Sequence, residues 1–378
     1  MAIHDIGNLT AADESLTHQI VDTFAVVQQS DRGWTEKLWC AMASKDGSVS
    51  MDLGIGKYTN RNVMDAFGGV SRGYEQWTVR ASRELSSAPD DTEVGPIKWE
   101  VLEPLKKVRL TLEENEHQPI SFDVVFEGQL QPFFEERNRH RIHSRIENDV
   151  IRYHQGGGVT GWLSLEGERI EISDWIAVRD HSWGVRQQVG VSPSDLQPIP
   201  RPDVRKGSFH WTPWLFTNPD GSKYEIMQFI SNNPVQPFHS AHIGYEDGTQ
   251  EKIVSTEVTP TFDPGTRELR TATHRLVLES GEVRIIEEEL LGHSGFHLST
   301  AGYGGWAGSV HGSWKGDLHV DGDYVKDCLN HPDIGMVRDR PTKLRDGDAI
   351  GYGIHESFYV GQWPEFGIDA SVPERRVT

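Results

Sequence analysis

Apolar and polar residues alternate in short runs along this chain. In ISFDVVFEG, Phe122, Val124 and Phe126 share one face, the period of two that a half-buried strand requires. RLVLES, VRIIEEEL and KVRLTLEE repeat it. Between such runs stand the pairs Asp46-Gly47, Asp220-Gly221, Asp247-Gly248 and Asp346-Gly347. Each predicts a tight hairpin, because both central residues tolerate positive φ. One helix is expected near the start, where Leu16, Ile20 and Phe24 form a stripe that Thr10 or Asp13 can cap. The pattern predicts an all-β fold of antiparallel hairpins with few short helices.

Two ten-residue stretches echo one another. GWLSLEGERI, Gly161 to Ile170, and GDLHVDGDYV, Gly316 to Val325, both read as strand, tight turn, strand, and both follow a glycine-rich approach. The match predicts two related β domains in tandem, barrels or sandwiches. Pro193, Pro198, Pro200 and Pro202 oppose regular strand pairing between them. The expected division is 1–195, a linker over 196–206, and 207–378.

Charge narrows the range of partners. The 378 residues carry 37 Lys and Arg against 57 Asp and Glu, a net charge of −20. Such a chain repels nucleic acid and anionic membranes unless it has a local basic patch. One stretch qualifies, with Arg137, Arg139, His140, Arg141, His143 and Arg145, but Glu136 and Glu147 flank it and a solvated strand of paired charges is the expectation. Only Cys40 and Cys328 are present, which favours a reducing compartment. No basic-then-apolar leader opens the sequence, and no run approaches the ~18 apolar residues of a membrane span. A cytoplasmic protein is expected.

Several motifs fail on context. Gly156, Gly158 and Gly161 match G-x-G-x-x-G, but a β pattern follows where dinucleotide binding needs a helix. DLHVDG opens like a calcium loop, yet His319 and Cys328 occupy positions that need oxygen ligands. His239 and His242 lie close in sequence but point to opposite faces of a strand. Neither a metal nor an organic cofactor is expected.

The densest chemistry lies in WIAVRDHSWGVRQQ, Trp175 to Gln188, where an apolar run ends in ionisable groups. If the chain stays extended, Arg179, His181 and Trp183 share one face and Asp180 and Ser182 the other. Gly184 then permits a turn and Arg186 can fold back. One reading has Asp180 paired with Arg179 or Arg186 to seal a barrel end, with Trp183 filling the core. The other has Asp180 or His181 as an acid or base facing a cavity, with Trp183 as an apolar wall.

This stretch resembles the R-D-x-S-W-G-x-R signature of the carotenoid-hydratase (hydroxyneurosporene-synthase-like) and AttH-like lipocalin-related group, with fungal Diels–Alderases as distant members. The segments around Tyr58 and His311 also resemble that group. The resemblance implies two lipocalin-like β domains in tandem, a hydrophobic small-molecule ligand and no organic cofactor. It carries over to Asp180, Trp183 and Arg186, and to His181 at a position the signature leaves variable.

A pocket for such a ligand needs large apolar walls and few oriented polar groups. Trp183, Trp211, Trp214 and Trp314, with Arg186, are the candidate substrate-binding residues. GYGIHESFY offers Tyr352, His355 and Glu356 as further polar groups. The expected function is a cofactor-independent hydratase, lyase or isomerase acting on a hydrophobic aromatic or isoprenoid molecule. Proton transfer would fall to Asp180, His181, Tyr58, His210 or His311. A non-catalytic carrier of a hydrophobic ligand is the alternative, with a purely apolar lining as its mark. A homodimer stays open.

Overall fold

The computed structural model describes residues 30–377 apart from 86–90, 143–144, 188, 192–204 and 235–236, together with isolated positions before residue 30. The helix expected around Ile20 and most of the expected linker lie outside the described residues, as does His143. Among the described residues there is no α-helix, and 3-10 turns stand at Thr59–Arg61 and Pro364–Phe366.

The first half forms β1 (Trp34–Ala43), β2 (Val49–Tyr58), β3 (Val63–Arg72), β4 (Glu75–Glu84), β5 (Glu93–Val94), β6 (Ile97–Glu103), β7 (Lys107–Leu112), β8 (Ile120–Gly128), β9 (Phe133–Phe134), β10 (Asn138–Ile142), β11 (Arg145–Leu165) and β12 (Glu168–Val185). The second forms β13 (Gly207–Thr217), β14 (Lys223–Ser231), β15 (Phe238–Tyr245), β16 (Gln250–Phe262), β17 (Leu269–Leu278), β18 (Val283–Leu290), β19 (Phe296–His297), β20 (Leu318–Val325), β21 (Arg338–Asp346) and β22 (Ala349–Val360).

Strands β13 to β18 with β21 and β22 close into an eight-stranded antiparallel barrel through the β18–β21 pairing. The first sheet runs β20-β4-β3-β2-β1-β12-β11-β8-β7-β6-β5 and curls as a half-barrel. The two barrel-like units agree with the expected all-β fold. The internal echo does not hold. Gly161 to Ile170 is the hairpin between β11 and β12, whereas Gly322 lies within the single strand β20. That strand pairs with β4 and so extends the first sheet from the second half of the chain.

All four Asp-Gly pairs make hairpin turns, but only the glycine of each takes positive φ, from 57° to 91°. Three of the aspartates instead hold the turn through their carboxylates. Asp46 accepts the Ser48 N–H, Asp220 that of Ser222 and Asp247 that of Thr249. The described part of the basic stretch, around β10, carries paired charges. Arg137 grips Asp149 through two N–H groups at 2.6 and 2.8 Å, and His140 meets Glu147 at 2.7 Å. The triple glycine lies within β11, where a Cβ on Gly157 would stand 2.3 Å from the Glu127 carbonyl oxygen. Close packing of strands explains it without a phosphate.

Three large apolar cores result, beside two small ones around Cys328 and Tyr359. One fills the half-barrel around Trp99, Phe122 and Phe126, and one fills the closed barrel around Trp214, Phe216 and Ile226. The third lies between them, where Trp39, Phe67 and Val178 of the first sheet meet Trp211, Met227 and Ile354 of the second. The seam is pinned by His154, whose Nδ1 lies 2.7 Å from Glu225 Oε1, with both side chains fully buried. Cys40 and Cys328 are separate buried thiols, and no helix of the described residues is long and apolar enough to cross a membrane.

Candidate functional site

Strand alternation divides the polar residues of β1, β11 and β12 between two environments. Leu38 and Cys40 of β1 turn into the half-barrel, while Lys37 and Trp39 turn toward the closed barrel. On β12, Asp180 and Ser182 point the same way as Lys37. On β13 and β22 of the barrel, Phe209, Trp211, Glu356 and Phe358 point back at them. Between the two sheets they leave a cavity of about 230 Å³.

Its walls are aromatic, from Trp39, Phe209, Trp211, Phe229 and Phe358, with Tyr303 at one end. Its polar groups are Lys37, Arg152, Asp180, Ser182, Arg186 and Glu356. Arg152 Nε lies 3.1 Å from Asp180 Oδ2, and Arg152 Nη1 lies 3.3 Å from Glu135 Oε1. The Trp211 indole N–H donates to the same Glu135 oxygen at 2.9 Å. Arg186 folds back to donate to Ser182 Oγ at 2.6 Å. It does so without a turn at Gly184, which stays in β12 at φ 137° because a Cβ there would stand 2.1 Å from the Asp149 carbonyl oxygen.

Burial sets the protonation of these groups. It raises Asp180 above the usual carboxylate range, although Arg152 and Arg186 act against it. It raises Glu356 well above that range, reinforced by the Asp339 carboxyl beside it. It lowers Lys37 to about 7, reinforced by the nearby positive charge of Arg186. Carboxyls whose ionisation burial opposes and an amine that burial brings down to about 7 stand in one apolar chamber. Groups of this kind exchange protons with a bound molecule at working pH.

The model of DUF8625, a family of unknown function, matches residues 9–369. The chain belongs to the DUF8625 family. No curated protein matches its sequence. Among solved structures, a protein of Nitrosomonas europaea provisionally described as AttH aligns over 91% of this chain and 97% of its own, at 12% identity and a TM-score of 0.50. Kievitone hydratase from Nectria haematococca aligns over 94% and 97%, at 14% identity and a TM-score of 0.42. CghA with Sch210972 aligns over 87% and 89%, at 8% identity and a TM-score of 0.48. The AttH likeness is one of fold, and that fold is the one implied by the signature around Asp180.

In this DUF8625 chain the residues singled out from sequence fall into five places. Asp180, Arg186 and Trp211 line the cavity. Tyr58 and His311 lie next to it, around Asp65: the Tyr58 hydroxyl donates to Asp65 Oδ1 at 3.0 Å and His311 Nδ1 lies 3.5 Å from Oδ2. Lys37 and Tyr303 separate this group from the cavity. His181 and Trp183 stand on the opposite face of β12, where His181 Nε2 meets Glu36 at 2.9 Å and the two rings pack edge to face. His210 and Trp214 point into the closed barrel, and Trp314 is exposed on the surface.

Inside that barrel a second polar chain is closed on itself. The Tyr359 hydroxyl lies 3.0 Å from His210 Nε2, His210 Nδ1 2.9 Å from His355 Nε2, and His355 Nδ1 2.9 Å from Glu288 Oε1. His274 Nε2 reaches the other Glu288 oxygen at 2.9 Å. The His274, Glu288 and His355 ligand atoms lie within 4.8 Å of one another. One donor per contact satisfies every link, so the geometry is that of a hydrogen-bonded chain, and it needs no cation to hold it. A larger open groove of about 730 Å³ runs past Gly157, Gly158, Trp175 and Tyr352. It brings together fewer buried ionisable groups than the smaller cavity, which is the better candidate.

Lys37, Arg152 and Tyr303 have no motif in the sequence. The one signal for Lys37 is positional, a lysine two residues before Trp39 on the same strand face. Glu356 stands in the GYGIHESFY stretch beside His355, and alternation sends the two to opposite sides of β22.

Proposed function

We propose that this chain is an enzyme that converts a hydrophobic small molecule by proton transfer in the cavity between its two β units. The observation that carries this reading is the Arg152–Asp180 pair, set with Glu356 and Lys37 in an otherwise aromatic chamber. A carrier needs the aromatic walls but gains nothing from the buried carboxyls of Asp180 and Glu356, each of which costs desolvation energy. A proton donor and acceptor held in a dry cavity act strongly on charge that develops in a bound molecule.

Asp180 is the proposed acid–base residue, with Arg152 orienting its carboxyl. Proton addition to an alkene or removal beside one conserves electron count, so hydration, dehydration and isomerisation call for no redox partner. The cavity falls below the roughly 300–1,000 Å³ of drug-sized sites. That favours a compact aromatic or short isoprenoid substrate over a long polyene. The reading is tested by incubating purified protein, without added cofactor, with panels of aromatic and terpenoid alkenes and analysing products by mass spectrometry. Conversion by the wild type and its loss in Asp180→Asn supports an enzyme; binding without conversion supports a carrier.

A further inference from the structure

Two cations at this cavity form no direct ion pair with a described carboxylate. Lys37 is 8% exposed, yet its ammonium forms no ion pair or hydrogen bond with any described residue. It lies against rings, 4.5 Å from the Tyr303 centroid and 5.9 Å from that of Tyr58, and Asp65 and Asp180 act on it without direct contact. Arg186 donates to Ser182 through Nη2, but its buried Nε–H has no acceptor and no described carboxylate pairs with it. Register joins the two: Lys37 stands directly across from Ser182 in the β1–β12 pairing. Ser182 therefore has Lys37 on one side and the Arg186 guanidinium on the other.

The acids nearby are committed elsewhere. Asp180 and Glu135 both hold Arg152. Asp65, behind Lys37, receives the Tyr58 hydroxyl and the Gly312 N–H and faces His311. Glu356 is in contact with the Asp339 carboxyl. A buried cation without a partner is costly, and a ligand that brings its own negative charge removes that cost. Donors from an ammonium, a hydroxyl and a guanidinium at one end of an aromatic chamber match a ligand with a single charged oxygen and an apolar body.

We propose that Lys37, Ser182 and Arg186 form an oxyanion-binding subsite, and that the natural ligand is a hydrophobic molecule bearing one acidic oxygen, phenolic, enolic or carboxylic. This rests on the cavity being the ligand site and adds the chemical class of the ligand.

The test uses two pairs of probes that differ in ionisation but little in shape. These are 7-hydroxycoumarin against 7-methoxycoumarin, and 2-naphthoate against 2-naphthamide, titrated into the full chain at neutral pH. The wild type is expected to prefer the ionisable member of at least one pair by roughly tenfold or more. The pair with the larger preference distinguishes a phenolate or enolate ligand from a carboxylate. Lys37→Met and Arg186→Gln, tested separately, are expected to lose the preference, the ratio of affinities within each pair falling toward one. Equal affinity within both pairs, or a preference that survives both substitutions, overturns the proposal and leaves the cavity reading intact. Failure of all four probes to bind overturns both.

Discussion

The carboxyls of Asp52 and Asp339 meet across the seam between the two sheets, Asp52 from β2 and Asp339 from β21. Both are fully buried, and no N–H or hydroxyl aligns on any of their four oxygens, although the Trp39 indole lies beside Asp52. Glu356 continues the contact to the cavity. Carboxylates cannot lie together in a dry seam unless protons are shared among them. The group therefore titrates as a unit and backs the cavity with acidic protons.

This fixes a sign for stability against pH. Burial raises Asp52 to about 7, so in the window from about 4 to 7 the folded state holds a proton that the unfolded state has lost. That contribution to stability is complete at low pH and disappears as pH rises through about 7. Asp52→Asn keeps the shape without the titration. Its stability relative to wild type should rise between about pH 5 and pH 8, by an amount on the order of 3 kcal/mol, read by denaturant unfolding. A flat difference across that range would contradict the shared-proton account.

Lys37 gives the complementary case. Burial lowers it to about 7, so between about 7 and 10.5 the unfolded state holds a proton that the folded state lacks. The penalty for burying the amine is full below about 7 and is relieved as pH rises toward 10.5. Lys37→Met should therefore be more stable than wild type at pH ~6 by roughly 3–5 kcal/mol, with the gain shrinking by pH ~10. Equal stability at both ends would show that the amine is not desolvated.

Asp180→Asn should leave the melting temperature within a few degrees, because Glu135 still holds Arg152. Turnover of any substrate found in the screen should fall roughly 10²-fold or more, the usual size of a lost general acid or base. Loss of folded protein, seen by circular dichroism, would place Asp180 among the structural residues instead.

The seam also has a purely structural pin. Glu225 accepts from His154 through one oxygen and from the Gly156 N–H, at 2.8 Å, through the other. Glu225→Leu removes both acceptors, and the site is dry. Unfolding should be easier by about 3 kcal/mol, measured by denaturant titration. Probe affinity in the protein that remains folded should be unchanged.

Local signals in the sequence were legible and distant ones were not. Period-two alternation and the Asp-Gly hairpins are written in neighbouring residues, and the strands and turns lie where they predict. The placement of β20 is not local. GDLHVDGDYV reads as a hairpin through Asp321-Gly322, but pairing with β4 holds it straight. At the site, alternation separates Asp180 from His181 as it must on any extended strand. Which of the two faces meets the other sheet depends on how the barrels pack, and only the structure shows that it is the Asp180 face. Lys37 reads as an ordinary solvated lysine until Tyr303 and Tyr58 cover it. The glycine of the signature reads as a turn, whereas the close approach of β11 to β12 is what requires it.

The account stands on chemistry taking place at Asp180. Its most direct test is turnover in deuterium oxide, with the panel of aromatic and isoprenoid alkenes, followed by mass spectrometry of the products. The wild type should yield a product carrying deuterium on carbon, and Asp180→Asn, equally well folded, should not. Ligands recovered unchanged from the wild type, or equal labelling by both proteins, would contradict it.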